Sequence, residues 1–219
     1  MNAVVRPTLY IIILAAGFSS RLGRPKALAR VQSTTLLRRT LTLVARFLPA
    51  KIAVVLTPRA VRHRIEARGV RVVFKANSGR AAGLSSSVRL GIALARFSPA
   101  VLILPVDLAA LNSRDVGRLI ARWRLGRRRV IATRIGQQGG ASRGGTPLIL
   151  PRWLYARALA VTGDRGLGDL VSGLPAQHRV LLDLPSAAWD VDSPADLCTA
   201  RQRLRRTNSG SGDYSVRAT

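Results

Sequence analysis

Cysteine is almost missing from this chain. Cys198 stands alone among 219 residues, which excludes an internal disulfide framework. Histidine is nearly as scarce. His63 and His178 have no neighbouring residues that would nominate them for catalysis, and two imidazoles leave little room for a histidine-based metal site. No apolar run is long enough to cross a bilayer: the longest, Leu9 to Ala16, falls well short of the roughly 20 residues needed. A lone Arg6 before that run, and no small-x-small pattern after it, argue against a secretory signal, so a cytoplasmic setting is expected. Acids are few as well. One glutamate (Glu66) and nine aspartates face 36 basic residues, a formal net charge of +26. Only Lys26, Lys51 and Lys75 are lysines, so the excess is arginine. Such a field attracts polyanions, although arginine decorating solvated faces gives the same balance. Against so few acids, any aspartate at the end of a strand becomes a candidate metal ligand.

What the chain does have is apolar residues, 47% of the total, enough for a sizeable core in one domain. Strand-like runs recur at 9–14, 51–56, 70–74, 101–106, 129–134 and 179–182. Most are continuous rather than alternating, as for strands covered on both faces. Helical patterns fall between and after them, at 35–48, 59–68, 85–97, 113–125 and 152–161. This alternation predicts an α/β fold: a single three-layer α/β/α, Rossmann-like domain around a mainly parallel sheet. Ligands of such sheets bind beyond the carboxyl ends of the strands, so chemistry is sought just after each strand. A last helix is expected from Ser193-Pro194 to about Leu204, closing a domain of residues 1–204. Residues 205–219, rich in Ser, Gly and Arg, read as a flexible tail.

The strongest motif follows the first strand: Leu14, Ala15, Ala16, Gly17, Phe18, Ser19, Ser20, Arg21, Leu22, Gly23, Arg24, Pro25, Lys26. A glycine at the end of a buried strand lets the backbone turn and approach a ligand, and the following amides and hydroxyls form a cradle for phosphate oxygens. Arg21 and Lys26 add one forked and one point-like cation. The spacing fits neither GxxxxGK[ST] nor GxGxxG, which disfavours a generic ATPase or dehydrogenase. A second segment, Gly83-Leu84-Ser85-Ser86-Ser87-Val88, reads on its own as a capped helix start whose free amides could meet a base edge or ribose. Asp107 ends the 101–106 strand, where a carboxylate near a phosphate cradle can hold magnesium; a turn or helix-cap aspartate is the plainer alternative. Asn77 to Arg80 reads as a turn, Trp123 and Trp153 as packing residues, and Arg127 to Arg129 as a solvated face rather than a nucleic-acid site.

These segments resemble the MobA-like nucleotidyltransferases, most closely the molybdenum cofactor cytidylyltransferase (MocA-like) branch. Gly17, Ser19, Arg21, Gly23 and Lys26 occupy the positions of its LAAGxSxRxGxxK signature, with Leu22 where methionine is common. The triple serine is similar to its G-x-S-S-S-L-x-x-G segment. Asp107 matches the aspartate of its D-x-P motif, although Ala109 stands where the proline would be. Asp190-Val191-Asp192-Ser193-Pro194-Ala195-Asp196-Leu197 resembles its D-x-D-T-P-E-D-L motif. Gly144 to Pro147 resembles a G-x-P segment opening a strand on the acceptor side. Gly163 to Gly168 resembles G-D-x-G-A-R with the final arginine replaced by Gly168.

The resemblance implies a nucleotide-diphospho-sugar transferase-type fold and a nucleotidyltransferase. Leu14 to Gly17, Ser19, Gly23, Gly83 and Ser85 to Ser87 would bind the nucleotide, and Arg21 and Lys26 would stabilise the triphosphate. Asp107 and Asp192, with Asp190 close behind, would hold Mg2+ or Mn2+; Asp196 is expected to offset the helix dipole. The implied nucleotide is CTP, the acceptor molybdopterin, and a molybdenum hydroxylase a partner. A relative using GTP or a sugar phosphate, or a non-catalytic cofactor-binding chaperone, would share much of this pattern.

Overall fold

The computed structural model describes residues 9–17, 21–58, 66–79, 83–138, 141–163 and 167–209. In chain order the strands are β1 (Tyr10–Ala15), β2 (Arg30–Val31), β3 (Thr34–Thr35), β4 (Lys51–Leu56), β5 (Val72–Ala76), β6 (Ala100–Pro105), β7 (Val130–Gln138), β8 (Ala141–Pro151) and β9 (Arg179–Leu182). The helices are α1 (Leu36–Ala45), α2 (Leu84–Leu94), α3 (Ser113–Leu125), α4 (Tyr155–Leu159), α5 (Leu167–Ser172) and α6 (Pro194–Ser209).

Seven strands form one sheet in the order β5-β4-β1-β6-β8-β7-β9. The pairs β1–β4, β1–β6, β4–β5 and β7–β9 are parallel, whereas β8 runs antiparallel to both of its neighbours. The sheet is therefore mainly parallel, as expected, with one reversed strand. Its two faces are sorted residue by residue along β1. Ile11 and Ile13 pack with Leu37 and Leu41 of α1, Leu119 and Trp123 of α3 and Leu197 of α6. Ile12 and Leu14 pack with Val88 and Ile92 of α2, Ala158 of α4 and Val171 of α5. Successive strand side chains point to opposite faces, so a continuous apolar run is what a strand between two helical layers requires. The result is the three-layer α/β domain the pattern predicts.

Glycine sets one contact between layers. A Cβ on Gly91 of α2 would lie 2.5 Å from Ile12 Cγ2, so the missing side chain is what lets α2 sit this close to β1. The helix at 59–68 expected from the sequence falls mostly outside the described residues. The structure corrects two other expectations. The α6 helix continues to Ser209, so helix extends five residues into the segment read as tail. A short α5 appears where no helix was expected. Among the described residues no helix is long and apolar enough to cross a membrane.

Candidate active site

Three separate stretches of chain meet at the carboxyl ends of β1 and β6. The first leaves β1 through Ala16 and Gly17 and reaches a 3-10 turn, Lys26–Leu28. Gly23 on the way has φ +66°, a left-handed conformation that side chains resist. The second is Asp107, just past β6, where the amide of Val106 donates to the Leu14 carbonyl at 3.0 Å and joins the two strand ends. The third comes from near the carboxyl end of the chain: the Val191 amide donates to the Asp107 carbonyl at 3.1 Å, which brings Asp192 alongside.

Lys26 lies where they converge. Its Nζ donates to Asp107 Oδ2 at 2.9 Å and also to Asp192 Oδ1, joining residues 81 and 166 positions away in sequence. Lys26 and Asp107 are largely buried, with side chains 14% and 18% exposed, and Asp192 is more open at 40%. Burial pulls the Lys26 ammonium down, but the charge of Asp107 and the hydrogen bonds to both carboxylates outweigh it and hold its pKa above the ordinary value. Burial pushes the Asp107 carboxyl up against the opposing pull of Lys26, and the charge of Asp190 adds to the rise. Arg21, mostly exposed, has Nη1 3.9 Å from Asp192 Oδ2. Asp190 is exposed. Of the two aspartates on that segment, it is Asp192 that Lys26 contacts.

Asp192 is held from behind. Asp196 Oδ2 accepts from the Asp192 amide (3.1 Å), the Ser193 amide (2.8 Å) and the Ser193 hydroxyl (2.7 Å), while Ser193 Oγ accepts from the Asp196 amide at 3.2 Å. This is a reciprocal cap at the start of α6, with aspartate in the place of the usual glutamate. The structural role expected of Asp196 is thus a cap as well as a favourable charge.

A cavity of about 230 Å³ opens beside Lys26, lined by Leu14, Ala15, Ala16, Gly17, Gly83, Leu84, Ser87, Pro105, Val106 and Asp107. It gathers most of the nucleotide-binding residues expected from the sequence. Gly23 does not line it, and neither do Ser85 and Ser86. Both are buried, and Ser86 Oγ donates to the Gly83 carbonyl at 2.8 Å, shaping the turn into α2, where Gly83 has φ +83°. Ser19 lies outside the described residues, as do residues 164–166. Asn77 was missed. It is 1% exposed, and its Nδ2 donates to Ser86 Oγ at 2.8 Å and Ser87 Oγ at 2.9 Å, fixing the serine segment against the end of β5. Asn77 directly follows β5 as the structure bounds it, but the run expected at 70–74 placed Lys75 there, so strand position alone did not single Asn77 out.

Gly168, at the position where the resembled pattern has arginine, has no room for one. A Cβ on Gly168 would lie 2.8 Å from the Gly144 carbonyl, because α5 packs directly on β8. The donor set at Asp107 and Asp192 is two carboxylates. Among the described residues no group of three or more His, Cys, Asp or Glu side chains could enclose a metal ion. Two hard oxygen ligands suit a magnesium-like cation, which completes its shell with water and substrate phosphates.

The structure is thus an α/β domain whose mainly parallel sheet carries a glycine-lined hollow at its strand ends, beside an ammonium held between two carboxylates. The chain belongs to the MobA-like NTP transferase domain family, whose sequence profile matches residues 11–180. It is 31% identical over 203 residues to the nicotine blue oxidoreductase of Paenarthrobacter nicotinovorans, covering 91% of this chain and 96% of that protein. Among solved structures it is similar to the nucleotidyl transferase Mth528 of Methanothermobacter thermautotrophicus, with TM-score 0.73 and 21% identity over 92% of this chain and 99% of that one. It is also similar to Rv0371c of Mycobacterium tuberculosis in complex with manganese, with TM-score 0.67 and 20% identity over 89% and 98%.

Proposed function

We propose that this protein transfers a nucleoside monophosphate from a nucleoside triphosphate, CTP by the resemblance of its loops, to a phosphorylated acceptor of the molybdopterin type. One observation carries the reading: Lys26 and Asp107 line one glycine-lined cleft, and Asp192, remote from both in sequence, meets the Lys26 ammonium there. In the reaction an acceptor phosphate oxygen forms a bond to the α-phosphorus, the bond from that phosphorus to the β-phosphate bridging oxygen breaks, and pyrophosphate leaves. The acceptor phosphate is already ionised near neutral pH, its second pKa being about 6, so no general base is required. The backbone around Gly17 faces the cavity and approaches the triphosphate. Gly83 and Ser87 face the nucleoside. Lys26 and Arg21 offset the charge that builds as pyrophosphate departs. Asp107 and Asp192, with Asp190 nearby, would hold the divalent cation, Mg2+ or Mn2+. That cation supplies charge neutralisation on the phosphates.

The test is to incubate the protein with each triphosphate, a divalent cation and molybdopterin, and to follow pyrophosphate. CTP-dependent release that falls at least ~100-fold in Asp107→Ala is expected. Release with GTP alone, or an Asp107→Ala variant as fast as the parent, would refute it. Transfer of the product to a molybdenum hydroxylase is part of the same reading, the arginine-rich surface suiting an acidic partner. Unchanged delivery after surface arginines are replaced by glutamine would count against that step. A second reading rests on the relative named a nicotine blue oxidoreductase: the same cleft would serve a redox reaction instead. Turnover of nicotine blue by this protein, with no pyrophosphate from any triphosphate, would favour it.

A further inference from the structure

A second hollow lies on the α1/α3 face of the sheet and shares no lining residue with the cleft. It measures about 500 Å³ and is lined in part by Arg38, Arg39, Thr42, Arg46, Asn112 and Ser113. Arg39, Thr42 and Arg46 follow helical spacing along one side of α1, so the helix delivers its cations to one place. Opposite them is the start of α3. There Asn112 Oδ1 caps the Asp115 amide at 2.9 Å, while the amides of Ser113 and Arg114 are among those a helix end leaves without an intrahelical partner.

Two of the three guanidinium groups are positioned by backbone rather than waving in solvent. Arg39 Nε donates to the Ala109 carbonyl at 2.7 Å, and Arg38 Nη1 donates to the Glu66 carbonyl at 3.1 Å and to that of Arg68. None of the three forms an ion pair with a carboxylate among the described residues. The Glu66 carboxylate accepts instead from the Thr35 hydroxyl at 2.7 Å. Arg39 is half-buried and burial lowers its pKa, so its charge is held where water compensates it poorly. Three like charges and a helix amino end in one concavity repel one another until an anion enters.

We propose that this hollow is a second anion site, built for a small molecule carrying two or more phosphate groups and distinct from the nucleotide cleft. Forked guanidinium donors match phosphate oxygens, and three of them with a helix end exceed what one phosphate can satisfy. The concave shape and volume are those of a small-ligand pocket, not of a track for an extended polymer. Arg39 keeps its guanidinium aligned by its bond to the Ala109 carbonyl, which leaves Nη1 and Nη2 to meet an anion.

The probe is inorganic tripolyphosphate titrated into isotope-labelled full-length protein, with backbone amides followed by NMR. Amides of Ser113 and Arg114 are expected to shift and saturate as one site, while those of Gly17 and Gly83 report the cleft separately. Arg46→Gln, whose side chain makes no hydrogen bond or ion pair to the described residues, should weaken the first response about fivefold. Arg39→Gln with Arg46→Gln should weaken it more than ~10-fold and leave the cleft response in place. Arg122→Gln with Arg124→Gln removes the same charge from the far end of α3 and should change nothing. Shifts confined to Gly17 and Gly83, or equal weakening by the Arg122/Arg124 pair, would overturn the proposal; the second result would reduce the effect to general attraction by a basic protein.

Discussion

Replacing Gly91 by alanine sets two physical effects against each other, and the structure says which prevails. Within a helix, alanine is favoured over glycine by about 1 kcal/mol, so propensity alone predicts a more stable protein. The new Cβ, however, would meet three atoms of Ile12, at 2.5, 3.1 and 3.4 Å. Ordinary carbon contacts are about 3.5–4.0 Å, so relieving the closest one needs a shift of about 1 Å. Ile12 cannot give way, being fully buried between β4 and β6 on a central strand. Overpacking of this kind costs ~1–3 kcal/mol, and after the propensity gain a net loss of about 1 kcal/mol remains.

In a urea titration with a slope of ~2 kcal/mol/M, that loss lowers the midpoint by about 0.5 M. The relief must come from α2, whose first turn carries Leu84 and Ser87 of the cleft, and a displacement of ~1 Å there can cost ~100-fold in turnover. A cycle with Ile12→Ala isolates the cause. Ile12→Ala alone should cost ~2–5 kcal/mol, and in the Gly91→Ala background its cost should fall, because the atoms in conflict are gone. A midpoint that rises in Gly91→Ala, or a cycle without coupling, would refute the packing argument.

Asn77→Ala leaves Ser86 and Ser87 without their shared donor in a buried site, and should lower stability by ~1–3 kcal/mol in the same titration while loosening nucleotide affinity measured by calorimetry. Asp115→Ala should cost ~3 kcal/mol: its buried carboxylate accepts the Ser186 amide at 3.0 Å and hydroxyl at 2.7 Å, tying α3 to the segment that leads into Asp192. Lys26→Gln removes the ammonium between Asp107 and Asp192, and should raise nucleotide-free Mn2+ affinity about tenfold by electron paramagnetic resonance, with turnover falling. Unchanged Mn2+ binding would show that the ammonium and the cation do not compete.

The strands that read clearly in the sequence were those with continuous apolar runs. Lys51–Leu56 and Arg179–Leu182 match to the residue, and the others lie within a few positions. The β8 strand was legible only where Gly144 to Pro147 suggested the opening of a strand. Its first half, Ala-Ser-Arg-Gly-Gly, lacks the branched and aromatic residues that mark strands, and it is held by pairing with β7 and by glycines that admit Val171 and Ile135. Nothing local announces that it runs against its neighbours. At the site, Lys26, Asp107 and Asp192 were each visible from motif and strand position. That one ammonium serves both carboxylates was not, because it depends on a contact across 166 residues. Asn77 was hidden by its company, since Asn-Ser-Gly is the vocabulary of a turn and its burial comes from α2.

The last described helix acts as a clasp. Its first turn is locked to the Asp192 backbone through Asp196, and one turn further on Arg201 reaches the Arg30 carbonyl through Nε at 3.2 Å and Nη2 at 3.0 Å, just downstream of the Lys26 turn. Both sides of the ammonium–carboxylate contact are therefore fastened to one rod. Shortening that rod ahead of Arg201 would keep the Asp196 cap on the aspartate but cut the tie to Arg30 and take Leu204 from the core, so the lysine turn and the aspartate would lose their common frame.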